Sequence, residues 1–249
     1  MTAPATAAPA DKAPLHPNVY LPPATEDPAL HAELHDRPFG TSALTAWAAK
    51  ILIETHCPEH ESVALIQPAP TDPALLEADG AAPGAPLVRR FRHRHQPGTG
   101  TVLEPAGTED SGPGSVTGSC ALAIAVVRRD TPEPGSEPAP GEALDADWIT
   151  RADQLLATAA RTLHRGALLA VPVPDPVPGA GFFDPSGYLI ATAQSLGLRY
   201  HQHLIFLDAL PDPAPLETPL DELPGESTTH ERTHHDVLLF IRPTIETSA

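Results

Sequence analysis

The segment Ser119–Val127 reads Ser-Cys-Ala-Leu-Ala-Ile-Ala-Val-Val, and after its first residue nothing polar interrupts it. A run of this length is too short to span a membrane as a helix, but it suits a strand buried on both faces. Such a strand must be packed from above and below, which points to a sheet layered between helices rather than a one-faced meander. Long Pro/Gly-rich loops flank it, at Gly107–Gly118 and Asp130–Gly141.

The rest of the chain supplies those layers. Thr41–Thr55 places Leu44, Trp47, Ala48, Ile51 and Leu52 at helical spacing, with start signals in Gly40, Thr41 and Ser42. Ser62–Gln67 is a short apolar strand stopped by Pro68 and Pro70, and Asp72-Pro73 reads as the cap and first position of a further helix. Leu87–His95 alternates in part, and Thr101–Glu104 is a second short strand. Ala146–Leu163 returns to helical periodicity through Trp148, Ala152, Leu155, Leu156 and Ala159, with Gly166 as its stop. Ala167–Val171 is another buried strand. A helix over Ser186–Leu196 ends at Gly197, then Arg199–Asp208 and His235–Arg242 read as strands. No helical crossover separates these last two, so they should pair antiparallel. The expected fold is α/β: a Rossmann-like, doubly wound, mostly parallel sheet ending in an antiparallel strand pair.

Residues 1–16 form an Ala/Pro tail with too little apolar surface to offset its ordering entropy, which leaves 17–249 as a single domain with acidic, Pro-rich loops. The 249 residues include 15 Lys+Arg against 32 Asp+Glu, a net −17, which argues against a general nucleic-acid coat. Cys57 and Cys120 lack metal-ligand spacing and point to a reducing, cytoplasmic setting. No signal-peptide pattern or membrane span is read, so no membrane partner is expected. Lysine is confined to Lys12 and Lys50 while Arg and Ala abound, which suggests a GC-rich source.

Strand–helix units followed by a terminal antiparallel pair resemble class I S-adenosylmethionine-dependent methyltransferases. Ser186–Asp208 followed by His235–Arg242 looks like the closing helix, strand and hairpin partner of actinobacterial relatives of DNA amino-methyltransferases. The resemblance covers residues 40–243. It implies an acidic residue and a Gly-rich turn after the first strand, where the backbone wraps the cofactor. Here Ile66-Gln67-Pro68-Ala69-Pro70 has no glycine. It also implies an Asp/Asn/Ser-Pro-Pro-aromatic loop after the fourth strand, to accept from the target amine and stack on a flipped base. Here Val127-Arg128-Arg129-Asp130-Thr131-Pro132 stands instead.

The expectation is therefore a methyltransferase-like pseudoenzyme that has lost methyl transfer and its cofactor and works as a binding or regulatory partner of another protein. Two alternatives stand beside it. One is an active S-adenosylmethionine-dependent enzyme with divergent motifs, acting on a DNA amino group. In it Gln67, Asp72 or Glu104 would hold the cofactor and Asp130 would orient the substrate. The other is an acidic interaction protein of a mobile element, using loops 130–147 and 208–231.

Further clusters have both a chemical and a plain reading. Arg89, Arg90, Arg92 and Arg94, with Phe91, His93 and His95, could contact phosphate or nucleic acid, or could pair with the surplus carboxylates. His230, His234 and His235, with Glu231 and Asp236, could ligate a metal or form a solvated loop. His201 and His203 sit two apart on a strand, so on one face, and read better as hydrogen-bonded border residues than as ligands. No metal site is expected. Gly98-Thr-Gly100 reads as a turn, not a dinucleotide fingerprint.

Overall fold

A computed structural model describes residues 19–20, 46–68, 85–97, 100–106, 118–127, 146–174, 184–207 and 234–244. The 1–16 tail, the helix expected at Asp72, and the loops 130–145 and 208–233 lie outside these residues.

Eight strands form one sheet: β1 (Val19–Tyr20), β2 (Ser62–Gln67), β3 (Leu87–Gln96), β4 (Gly100–Pro105), β5 (Cys120–Ala125), β6 (Leu163–Pro172), β7 (Arg199–Leu207) and β8 (His234–Ile241). Their order across the sheet is β1-β7-β8-β6-β5-β2-β3-β4. Three described helices, α1 (Ala46–His56), α2 (Ala146–Thr162) and α3 (Pro185–Ser195), cover it. α1 packs Ala48, Ala49, Leu52 and Ile53 on one face, against Val63, Leu65, Leu122 and Ile124. α2 and α3 bring Trp148, Leu155, Leu156, Leu189 and Ala193 to the other, against Ala64, Ile66, Ala123 and Leu169. Every residue of β5 is buried, as its sequence requires.

The sheet is mixed rather than mostly parallel. β2–β5, β5–β6 and β1–β7 are parallel. β2–β3, β3–β4, β6–β8 and β7–β8 are antiparallel. The correction comes from β3. Its alternating pattern forms a ten-residue strand that runs back along β2, and β4 returns along it, where strand–helix units were expected. The closing antiparallel pair is present, with β8 inserted between β6 and β7. A mixed sheet with helices packed on both faces and an antiparallel closing pair makes this an α/β fold.

One boundary also moves. The first helix is described from Ala46, and its expected start at Thr41 lies outside the described residues. α2 ends at Thr162 rather than at Gly166, and Gly166 lies inside β6 at φ +82, where its N–H donates to the Arg242 carbonyl at 2.7 Å. Only a residue without Cβ takes that conformation cheaply, so the glycine marks a kink in a strand and not a helix stop. Gly197, at φ +81, does end α3. β1 was not anticipated from sequence; Tyr20 stacks on Phe206 with ring centroids 4.9 Å apart. Among the described residues no helix is long and apolar enough to cross a membrane.

Both cysteines are free and buried. Burial, with smaller contributions from Glu61 and Cys120, pushes the Cys57 thiol from 9.0 up to about 12, and burial also raises Cys120. At pH 8 the folded protein should therefore resist a thiol reagent such as dithionitrobenzoate and react at its unfolding rate. Because the folded pKa lies above the unfolded one, the thiol's contribution to stability is complete below about pH 9 and is lost as pH rises toward 12. A Cys57→Ala variant should show a flatter alkaline limb in its stability profile. Fast stoichiometric labelling of the native protein at pH 8 would contradict this.

Candidate functional site

In an open α/β sheet, ligands settle outside the carboxyl ends of the strands, where the strand order reverses direction. Here that point lies between β2 and β5: from β2 the chain builds outward to β3 and β4, and from β5 it builds the other way. The Val126 N–H donates to the Ile66 carbonyl at 2.9 Å, so the two exits stay joined past the ladder. Gln67, Val126 and Val127 thus flank the switch point, with Val173 and Pro174 at the end of β6 beside them. All five are buried. α2 and α3 run back against the sheet, so their first turns stand at this same edge. There Trp148 and Tyr188 pack with ring centroids 5.6 Å apart, and the Tyr188 hydroxyl donates to Asp153 at 2.7 Å.

Gln67 is the polar side chain at the switch point. It is 8 % exposed, and its Oε1 finds no hydrogen-bond partner among the described residues. Pleating sets Gln67 on the α1 face with Val63 and Leu65, so its amide points into the layer beneath the edge rather than into bulk water. Such an acceptor can take one N–H or O–H from a ligand or from the adjoining chain.

The structure does not bring the other expected site residues to Gln67. Glu104 lies opposite Arg92, which lies opposite Ser62, so it is level with the start of β2 and not with its end. It pairs with Arg94 at 2.8 Å. Asp72 and Asp130 lie outside the described residues, as do Arg128, Arg129, His230 and Glu231.

His203 is hydrogen-bonded as expected, and its partner on the closing hairpin, Asp236, is what sequence reasoning missed. Asp236 Oδ1 is 2.9 Å from His203 Nε2, and its Oδ2 is 3.4 Å from His234 Nε2. The Asp236 carbonyl accepts from Val173 N–H at 2.8 Å, which sets this carboxylate level with the β6 exit. A register shift between Tyr200 and Gln202 interrupts the alternation that would have set His201 and His203 on one face. The useful signal was the antiparallel pairing itself, which brings one histidine of β7 beside the carboxylate of β8. Each imidazole spends one nitrogen on the carboxylate, and no metal-holding group of three His, Cys, Asp or Glu forms among the described residues.

S-adenosylmethionine requires acceptors for its ribose hydroxyls and ammonium, and a backbone that can approach closely. The three glycines with positive φ among the described residues, Gly118, Gly166 and Gly197, lie toward the amino ends of β5, β6 and β7, away from this edge. At the switch point itself the described residues provide one amide and a valine wall. Among the described residues there, Gln67 Oε1 is the side-chain acceptor open to such a ligand, and the segments that continue from β2, β5 and β6 lie outside them.

No protein-family model matches the sequence, and no curated protein matches it. Similar solved structures are S-adenosylmethionine-dependent methyltransferases. One is a candidate DNA modification methylase from Thermus thermophilus complexed with S-adenosyl-L-methionine, at 16% identity and a TM-score of 0.35, covering 51% of this chain and 49% of that one. Another is a methyltransferase from Methanosarcina mazei, at 11% identity and a TM-score of 0.32, covering 71% and 80%. A third is a 16S rRNA (adenine(1408)-N(1))-methyltransferase from Catenulisporales acidiphilia, at 11% and 0.31, covering 59% and 64%. The chain spans about half the length of the Thermus protein.

Proposed function

We propose that this chain is a methyltransferase-like protein that no longer transfers methyl groups and acts by binding, as a partner or regulator of another protein. The observation that carries the reading is the switch point, where Gln67 and Pro68 stand in place of an acidic residue and a Gly-rich turn, and Val127-Arg128-Arg129-Asp130 in place of the Asp/Asn/Ser-Pro-Pro-aromatic loop. Titration calorimetry of the full chain with S-adenosylmethionine should give no saturable heat, and tritiated methyl transfer to DNA, RNA and protein pools should stay at background. Micromolar binding that disappears in Gln67→Ala would overturn the reading.

One feature supports a second reading, an active enzyme with divergent motifs. The buried Gln67 Oε1, without a partner among the described residues, is the kind of acceptor a bound cofactor would satisfy. In that reading S-adenosylmethionine would supply the methyl group, and Asp72 and Asp130 would join Gln67 in holding cofactor and substrate. Methyl transfer lost on Asp130→Ala, with the fold retained by circular dichroism, would favour this reading over the first.

A further inference from the structure

The −17 charge of the chain is not spread evenly along it. The described residues carry ten Lys and Arg against eight Asp and Glu, a net of +2. The excess of carboxylates lies in the other segments. Four of those ten cations, Arg89, Arg90, Arg92 and Arg94, fall within one strand, β3.

Pleating divides the strand cleanly. Phe91 and His93 are buried on the α1 side, where the His93 Nδ1 hydrogen-bonds with the Cys57 carbonyl at 2.9 Å. Arg90, Arg92 and Arg94 therefore share the opposite face, in line with Val88. On that face α2 packs over β2, β5 and β6. Arg92 and Arg94 are exposed. Arg90 also makes contacts within the chain. Across the ladder stands Glu104, opposite Arg92 and bonded to Arg94.

We propose that this face of β3–β4 binds the phosphate backbone of a single-stranded nucleic acid, independently of the carboxyl edge. Guanidinium groups on alternate residues of a strand repeat about every 6.8 Å, a spacing suited to tracking one extended sugar-phosphate chain. Planar guanidinium forks grip phosphate oxygens in pairs. A single straight row on a sheet face follows one backbone, and it lacks the element that enters a groove through which a duplex is read. The one phenyl ring of the strand, Phe91, faces the core, so the described residues of β3 and β4 offer bases no such ring to stack on, and the contact is indifferent to sequence. Glu104 acts as an internal competitor for Arg94. The row runs toward the start of β2, away from Gln67, so this inference does not rest on the reading of the switch point.

Fluorescence anisotropy with a labelled single strand of about 20 nucleotides, at several salt concentrations, tests it on the full chain. Wild type should bind, with similar affinity for two unrelated sequences. R92Q/R94Q should bind at least tenfold more weakly, with the log–log salt slope reduced by about 1.4, two contacts at ~0.7 each. E104Q should bind severalfold more tightly. Both variants alter exposed side chains, and circular dichroism checks their fold. Absence of binding at about 50 mM salt, equal binding by R92Q/R94Q, tighter binding of a duplex of the same length, or preferential binding of anionic vesicles would each overturn the proposal.

Discussion

Replacing Phe240 by alanine is expected to cost about 4 kcal/mol of folding stability, within the ~3–5 kcal/mol range for deleting a buried ring. Phe240 has no exposed surface and sits near the end of β8, the strand between β6 and β7 that joins the edge of the sheet to its centre. It lies opposite Leu169 on β6 and Tyr200 on β7. Its ring takes the edge of Tyr200 at 5.9 Å and an interplanar angle of 71°, and it shares a cluster with Leu189 and Ala193 of α3. Removing the ring opens a cavity that three elements would have to close at once. Phe240→Leu keeps most of the volume and should cost about 1 kcal/mol. Urea denaturation of the three proteins checks the order. A loss below about 1.5 kcal/mol in the alanine variant would mean that α3 is not seated on this hairpin.

The apolar strands and amphipathic helices were legible because burial on two faces or one stripe is written directly into residue order. β5 and α2 are such cases. The antiparallel return of β3 was not legible, because Leu87–His95 mixes arginine with buried Phe91 and His93, and local alternation carries no information about the direction in which a strand pairs. The kink at Gly166 was hidden for a related reason. Glycine ends helices and bends strands through the same conformational freedom, and only the pairing with Arg242 decides between them. At the candidate site, the glycine-free exit at Gln67 could be read in sequence, since it depends on residue identity. That Glu104 stands at the other end of β2 could not, since its position follows from the register of two antiparallel ladders. Net and local charge were likewise distinct: −17 is a property of the whole chain, whereas the described residues carry +2 and set four arginines in one strand, which only the strand's pairing reveals.

Arg242 should be the most sensitive polar position. Its Nη1 donates to the Ala160 carbonyl at 2.8 Å and also to the Leu163 carbonyl. The last four carbonyls of a helix lack partners within it, and the negative end of the helix dipole lies there as well. α2 ends at Thr162, so Arg242 satisfies one of those carbonyls and the first one after the helix, from 82 residues further along the chain. The Arg242 N–H also donates to the Ala167 carbonyl at 2.9 Å, and its carbonyl accepts from Gly166. One residue thus ties the end of α2 to the kinked start of β6. Arg242→Ala should cost about 2–4 kcal/mol, as charge-assisted bonds are worth ~1.5–3 kcal/mol and orphaned carbonyls add to the loss. The backbone bonds to Gly166 and Ala167 survive the substitution, so the damage should centre on the α2 terminus, with faster amide hydrogen exchange around 162–166 and little change in β7. Arg242→Lys restores the charge, but its side chain ends one bond short of the Nη1 position that serves both carbonyls, and it should recover less than half of the loss. Equal stability of the alanine and wild-type proteins would show that water serves these carbonyls as well as the guanidinium does.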